Sequence, residues 1–147
     1  MHEKRNSWKI AYEVAKEIFE DEYDDDFFQN TRIEVLAPPI EEIIYGPSAS
    51  VAIFTAIYAL ATGRNVCDAT TLTGVVLPNK TVEGIGGLCQ KVKAAAKSGK
   101  KTIVLSVENK EQFQKMNKKY RKYMKGAYVS DCYGLIDEMF EEEVDEE

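Results

Sequence analysis

The hydrophobic pattern of the chain begins with a stripe at helical spacing. The positions that share it are Trp8, Ala11, Val14, Ala15, Ile18 and Phe19. This 3.6-residue period predicts an amphipathic helix, for which Ser7 is the candidate N-cap. The acidic segment from Glu20 to Asp26 is expected to end the helix and to be solvated.

Two different patterns follow. Arg32–Leu36 alternates polar and apolar residues, which predicts a strand that Pro38 and Pro39 stop. The segment from Ala49 to Thr62 is apolar nearly all round, which predicts a central, buried helix closed by Gly63.

The second half alternates strand and helix signals. Val66–Leu77 is rich in β-branched residues and predicts extended structure, and Pro78 and Asn79 should turn the chain so that Thr81–Glu83 returns. After the glycine-rich run 84–87, a helix is expected from Leu88 to about Lys97.

The last part of the chain predicts four elements. These are a buried strand at Thr102–Leu105, a polar helix from about Glu111 to Lys125, a short strand at Tyr128–Val129, and a final helix capped by Asp131. With no internal repeat or interdomain linker, the order of elements predicts a single compact α/β (α+β) domain over residues 1–147. Residues 1–6 and 141–147 are expected to be flexible.

Composition narrows the class of protein. The 147 residues suit one domain, and 44% hydrophobic with 30% charged residues is typical of a water-soluble globular protein. The longest apolar stretch, Val51–Ala61, is too short to cross a bilayer, and no leader pattern is recognised, so a cytoplasmic, non-membrane protein is expected. Cys67, Cys89 and Cys132 are three widely spaced residues with no CxxC pair, which predicts reduced thiols and no zinc site.

The charge distribution bears on partners. A net charge of −6 makes nucleic acid an improbable partner. One patch of positive charge with interleaved tyrosines contrasts with the negative net charge. Its residues are Lys110, Lys115, Lys118, Lys119, Tyr120, Arg121, Lys122, Tyr123 and Lys125. A solvated helix face is the favoured interpretation of this patch, and nucleic-acid binding is the alternative.

The scarcity of histidine limits the possible chemistry. The only histidine is His2, beside the N-terminus, so a Ser-His-Asp or Cys-His arrangement is close to excluded. Nucleophilic catalysis would then need another base. A lysine can serve if burial lowers its pKa and if it lies within hydrogen-bond reach of the nucleophile.

Two segments could supply such a pair. In the first, residues 46–50, Ser48 stands between a Gly-Pro turn and the predicted buried helix, where backbone N–H groups and the helix N-terminus could stabilise an oxyanion. In the second, Lys91 lies one turn into the helix that follows the glycines. The structural alternatives are that Ser48 is an N-cap and that Lys91 is a surface side chain. The GxGG run matches neither the dinucleotide fingerprint nor the phosphate loop.

Together, the two segments resemble the proteolytic domain of the ATP-dependent Lon proteases. Gly46-Pro47-Ser48-Ala49 is similar to the family's Gly-Pro-Ser-Ala-Gly, and Gly86-Gly87-Leu88-Cys89-Gln90-Lys91 to its Gly-Gly-Leu-x-x-Lys. The lysine follows the serine by 91 − 48 = 43 positions, which fits the family's pattern. Thr73-Gly74 and Glu108-Asn109-Lys110 resemble further family motifs. Ser50, Val75 and Tyr45 depart from the family pattern.

The resemblance implies roles for individual residues. Ser48 would attack the peptide carbonyl, Lys91 would accept its proton, and Thr73 would orient the lysine. The backbone around the nucleophile, at Gly46, Pro47 and Ala49, would hold the oxyanion and the substrate backbone. The implied fold is ribosomal protein S5 domain 2-like, the substrate is a polypeptide, and no cofactor or metal is implied.

The resemblance also implies how the chain would work. No P-loop motif occurs in it, and the strands that precede the family's first helix have no counterpart here. We therefore expect a stand-alone, N-terminally shortened, ATP-independent serine endopeptidase. An open sheet edge would favour a homo-oligomer, or a separate ATPase or covering partner. The alternative is a catalytically silent domain that acts as a scaffold or protein-binding module.

Overall fold

The computed structural model describes residues 2–34 and 49–142, with side chains from residue 7 onward. The helices in this part of the chain are α1 (His2–Glu22), α2 (Phe27–Asn30), α3 (Ser50–Thr62), α4 (Leu88–Lys97), α5 (Lys110–Lys115), α6 (Lys118–Arg121) and α7 (Cys132–Met139). The strands are β1 (Thr70–Leu72), β2 (Val75–Val76), β3 (Val82–Glu83), β4 (Thr102–Ser106) and β5 (Lys125–Val129). A 3-10 turn at Val107–Asn109 joins β4 to α5.

A parallel sheet lies at the centre of the described structure. Its strand order is β1-β4-β5, and both outer strands run parallel to β4. The continuous apolar run at Thr102–Leu105 predicted a buried strand, and β4 confirms it. β2 and β3 form a separate antiparallel pair in which Val76 lies opposite Val82.

The central strand separates two apolar clusters. Val104 belongs to a large cluster built mainly from α1, α3 and α7. Ile103 and Leu105 point to the other face and join a smaller cluster with Leu88 and Phe113, from α4 and α5. Side-chain alternation along β4 therefore links the two halves of the molecule, and this mixed helix and strand content confirms the predicted fold class.

The first helix confirms the predicted stripe but not its predicted start. The buried residues of the stripe are Ala11, Val14, Ala15, Ile18 and Phe19. The helix begins at His2, so Ser7 lies inside it, buried, and the prediction that Ser7 is the N-cap was wrong. The stripe repeats only from residue 8, which is why the pattern could not indicate the extra turn.

Two other predictions need correction. Residues 32–34 form no strand; residues 35 and 36 and the two prolines after them lie outside the described residues. α3 ends at Gly63 as predicted, where the Gly63 N–H donates to Ala59 O at 2.9 Å. However, α3 is not buried all round, because Ala52, Ala56 and Leu60 form an exposed line, with Leu60 65% exposed.

The basic patch does not form one helix. The chain breaks at Met116, and Asn117 Oδ1 then accepts from Lys119 N at 2.9 Å to start α6. Lys122 has a positive φ of 52°, after which the chain buries Met124 and enters β5. The segment is polar and rich in good helix formers, so its local propensity predicted one continuous helix. Burial of Met124 and pairing of β5 with β4 override that propensity.

The other predicted elements are confirmed. Pro78 and Asn79 lie in the turn between β2 and β3, and α4 spans Leu88–Lys97 as expected. Asp131 caps α7, since its Oδ1 accepts from Gly134 N at 2.9 Å.

Candidate functional site

Thr73 lies directly after β1, where the chain leaves the sheet. Its backbone N–H donates to Val104 O of β4 at 3.1 Å, and its side chain is buried. The threonine is thus held against the central strand, and its Oγ1 lies at the side of the sheet that α4 covers.

Lys91 is the fourth residue of α4. Its Nζ donates to Thr73 Oγ1 at 3.3 Å, which is at the long end of a hydrogen bond and is common for a catalytic contact without substrate. Burial lowers the pKa of the Lys91 ammonium below its ordinary value, because removal of water disfavours the charged form. The neutral amine, which can accept a proton, is therefore favoured relative to an exposed lysine.

A cavity of about 380 Å³ opens beside this pair. Its walls are mainly small side chains from α3, β1 and α4, namely Ala49, Ala52, Thr71, Leu72, Thr73, Lys91, Ala94, Ala95, Ser98, Lys100 and Ile103. Of these, Lys100 donates from Nζ to Asp68 O at 2.7 Å. Among the described residues that line this cavity, none is a carboxylate.

The described residues contain half of the predicted site. Ala49, Thr73 and Lys91 all line the one cavity. Ser48, Gly46 and Pro47 lie outside the described residues, so their roles stay predictions. Chemically, the half that is described offers an amine with a lowered pKa, fixed by a hydroxyl, on the wall of a cavity.

Ser50 has a role that the sequence did not suggest. It stands where the Lon pattern has glycine. Its side chain is fully buried and its Oγ accepts from Val76 N of β2 at 2.8 Å. No local spacing could have indicated this bond, because its partners are 26 residues apart.

Other chemistries find little support among residues 2–34 and 49–142. No group of three or more potential metal ligands occurs in these ranges. Cys67, Cys89 and Cys132 carry free thiols, and burial raises the pKa of Cys132 to about 12, which makes it a poor nucleophile. In the same ranges, no helix has both the length and the apolar character that crossing a bilayer requires.

Comparison with known proteins gives one consistent result. The family described as the Lon protease (S16) C-terminal proteolytic domain matches residues 2–142. A Lon protease of Syntrophus aciditrophicus (strain SB) is 35% identical over 111 residues, which are 76% of this chain and 14% of that protein. The mitochondrial Lon protease homolog 1 of Arabidopsis thaliana is 31% identical over 136 residues, 92% of this chain and 14% of that protein.

A third relative has a similar identity and a similarly small matched share of its own length. The mitochondrial Lon protease homolog of Drosophila melanogaster is 33% identical over 113 residues, which are 76% of this chain and 11% of that protein. The chain therefore spans about a seventh or less of the length of the curated relatives just described, and the similarity concerns that part of them.

Proposed function

The chain belongs to the family of Lon protease C-terminal proteolytic domains, and on that premise we propose that it is a serine endopeptidase with a Ser48–Lys91 dyad. The observation that supports the proposal most directly is the contact between Lys91 Nζ and Thr73 Oγ1 at 3.3 Å, beside a cavity with Ala49 in its wall. Ala49 is the next residue after Ser48 in the sequence.

In the proposed mechanism, Lys91 acts first as base and then as acid. Ser48 Oγ attacks the carbonyl carbon of the substrate, and its proton passes to the neutral Nζ of Lys91. The tetrahedral intermediate collapses as Lys91 returns the proton to the leaving amine, which leaves an acyl-enzyme. Water then gives a proton to Lys91 and adds to the acyl carbon. The bond from that carbon to Ser48 Oγ breaks, Oγ takes the proton back from Lys91, and the acid is released.

The remaining residues would support that reaction. Thr73 would hold the Nζ of Lys91 in one orientation, and the backbone at Gly46, Pro47 and Ala49 would hold the substrate backbone and the oxyanion. The cavity is large enough for a peptide side chain. We propose a polypeptide substrate and no cofactor.

Independence from ATP is a further part of the proposal. These 147 residues contain no Gly-x-x-x-x-Gly-Lys-Ser/Thr motif, so the reaction steps above use no nucleotide bound by them. A cytoplasmic location, a homo-oligomeric state, and a separate ATPase or covering partner stay predictions. The free thiols agree with a reducing compartment.

The test is cleavage of an unstructured fluorescent casein without nucleotide. Wild type should cleave it, and Ser48→Ala and Lys91→Ala should each lose about 10²-fold to 10⁴-fold in rate. Matched controls are Ser130→Ala and Lys93→Ala; Ser130 is an exposed serine, and Lys93 lies two residues further along α4. Full activity in both dyad variants would exclude the dyad. A silent wild type would favour the scaffold alternative.

A further inference from the structure

The glycine-rich turn before α4 is held by two side chains from another part of the chain. Glu108 Oε1 accepts from Gly84 N at 2.6 Å. The Asn109 side chain makes two bonds to one residue: its Oδ1 accepts from Ile85 N at 2.9 Å, and its Nδ2 donates to Ile85 O at 3.0 Å. An amide offers an acceptor and a donor side by side, so Asn109 pairs with Ile85 as a neighbouring strand would.

Gly84 makes this contact possible. A Cβ at that position would lie 2.8 Å from Asn109 Oδ1 and 3.0 Å from Glu108 Cβ. Any other residue would push the two segments apart. The close approach, together with the 5% exposure of Asn109, indicates that the two segments pack tightly and that the contact is buried.

The rest of the turn has few constraints of its own. A Cβ at Gly86 or Gly87 would meet no atom within 4 Å, and the N-cap of α4, Gly87, provides no side-chain hydrogen bond. Besides the packing of Ile85, Leu88 and Val92 in the smaller cluster, the polar contacts of Glu108 and Asn109 hold the turn that leads into α4.

We call the contacts of Glu108 and Asn109 with Gly84 and Ile85 the clamp. The clamp connects the helix of Lys91 to β4, the strand that also holds Thr73. Ser106, the last residue of β4, donates from Oγ to Val82 O at 2.9 Å and accepts from Glu108 N at 3.2 Å, which fixes the turn that carries the clamp. Thr73 is bonded to Val104 of that strand. Both ends of the Lys91–Thr73 contact are thus anchored to β4.

We propose that Asn109, assisted by Glu108, is a positioning residue for Lys91, holding α4 where the Nζ reaches Thr73 Oγ1. The proposal rests on the proposed function for its catalytic meaning, but its structural claim can be measured without activity. Loss of the clamp would let the start of α4 move outward and admit water around Lys91, without removing any group that reacts.

Several titratable groups lie near Lys91 in the part of the chain that the structure describes. Cys89 and Lys93 lie on its own helix, Lys100 lines the same cavity, and Tyr120 of α6 packs against Lys93. Neither β1 nor α3 contributes a titratable residue to the cavity wall. Burial lowers the pKa of Lys91, so added water should raise that pKa toward its ordinary value.

The experiment compares four single variants with wild type: Asn109→Ala, Asn109→Asp, Glu108→Ala and Glu108→Gln. The control is Glu111→Gln, which removes an exposed charge that pairs with Lys115 one turn away. Two experiments are made across pH. The first measures kcat and KM on a fluorescent peptide. The second follows the titration of the Lys91 Cε signal in 13C-lysine-labelled protein, assigned by its loss in Lys91→Met.

For Asn109→Ala we expect kcat to fall about 10-fold to 100-fold with KM nearly unchanged. The rising limb of the kcat profile and the Lys91 titration should both move to higher pH. Glu108→Gln, which keeps an acceptor for Gly84 N, should stay near wild type, while Glu108→Ala should follow Asn109→Ala with a smaller loss.

Two results would overturn the proposal: a wild-type Lys91 titration in folded Asn109→Ala, or a fall in kcat that only tracks the folded fraction. If Asn109→Ala does not fold, the isosteric Asn109→Asp and Glu108→Ala decide by the same readouts. If wild type shows no peptidase activity, the proposed function fails, and the titration alone decides the positioning role.

Discussion

The helices α3 and α4 begin in different ways. The proposed nucleophile, Ser48, comes before α3 in the sequence, and the proposed base, Lys91, lies in the first turn of α4. Neither N-cap, Ala49 or Gly87, contributes a side-chain hydrogen bond. The start of α3 is fixed inside the large cluster by one buried bond, from Val76 N to Ser50 Oγ. The start of α4 is fixed by polar contacts from Glu108 and Asn109 at the edge of the smaller cluster.

This difference predicts that the two regions affect different properties: α3 the stability of the protein, and the start of α4 the position of Lys91. Substitutions around α3 remove buried apolar contacts and should lower the free energy of unfolding. Substitutions of the polar groups that hold Lys91 should lower that free energy less than loss of a buried ring does, and should mainly alter the placement and protonation of Lys91. Single substitutions in the two regions test this division, and the greatest change is expected in the buried face of α3.

Phe54→Ala should cause the largest loss of stability. Phe54 is fully buried in α3, with its ring 6.1 Å from that of Tyr58. Removal of a buried phenyl group costs about 3–5 kcal/mol, because apolar contacts are lost and a cavity remains. Unfolding by urea, followed by circular dichroism, measures the change.

The control for this substitution lies on the exposed side of the same helix. Leu60 is 65% exposed, and Leu60→Ala should change the free energy of unfolding by less than about 0.5 kcal/mol. Equal losses in the two variants would contradict the assignment of the buried face of α3.

Thr73→Val should affect catalysis more than stability. The valine keeps the shape of the buried side chain but removes the Oγ1 that accepts from Lys91 Nζ. A misplaced base should lower kcat/KM by about 10-fold to 100-fold. Peptide hydrolysis and urea unfolding of the same preparation measure both quantities.

Thr71→Val is the matched control, since Thr71 lines the same cavity from β1. Its kcat/KM should stay within about threefold of wild type, because the described hydrogen bond of Lys91 Nζ goes to Thr73 Oγ1. A loss at Thr71 as large as that at Thr73 would mean that the shape of the cavity, not the contact with Lys91, controls the rate.

The sequence predicted the elements where local pattern and burial agree. The stripe in α1 and the apolar run of β4 are both buried as expected, and Gly63 ends α3. The break after Lys115 was missed because its cause is tertiary: Met124 must be buried and β5 must pair with β4.

The same distinction holds for the candidate site. The resemblance of the motifs to the Lon pattern implied that Thr73 orients Lys91. The two side chains are in contact, and the orienting role stays a prediction. The bonds made by Ser50 and Asn109 could not be predicted, because their partners lie 26 and 24 residues away and the motifs carry no information on such distances.

Ser50→Ala should destabilise the protein by about 1–3 kcal/mol. The reason is that Val76 N would stay buried without the Oγ that accepts from it. The exposed Ser130 provides the control, and Ser130→Ala should have little effect. Urea unfolding compares the two, and a neutral Ser50→Ala would show that water or a shifted backbone satisfies the Val76 amide.

Lys91→Met should slightly stabilise the protein near neutral pH while removing its activity. Burial lowers the pKa of Lys91 in the folded state, so the unfolded chain binds more protons between that pKa and the ordinary value of 10.5. Wild-type stability is therefore reduced at low and neutral pH and recovers as the pH rises through this window. Since Lys91 is partly solvated, the gain in Lys91→Met should be less than about 1 kcal/mol at pH 7 and should shrink toward pH 10. Urea unfolding at both pH values measures the gain, with Lys93→Met, which removes an exposed lysine of the same helix, as the control. A Lys91→Met protein less stable than wild type at pH 7 would show that the ammonium is stabilised where it lies.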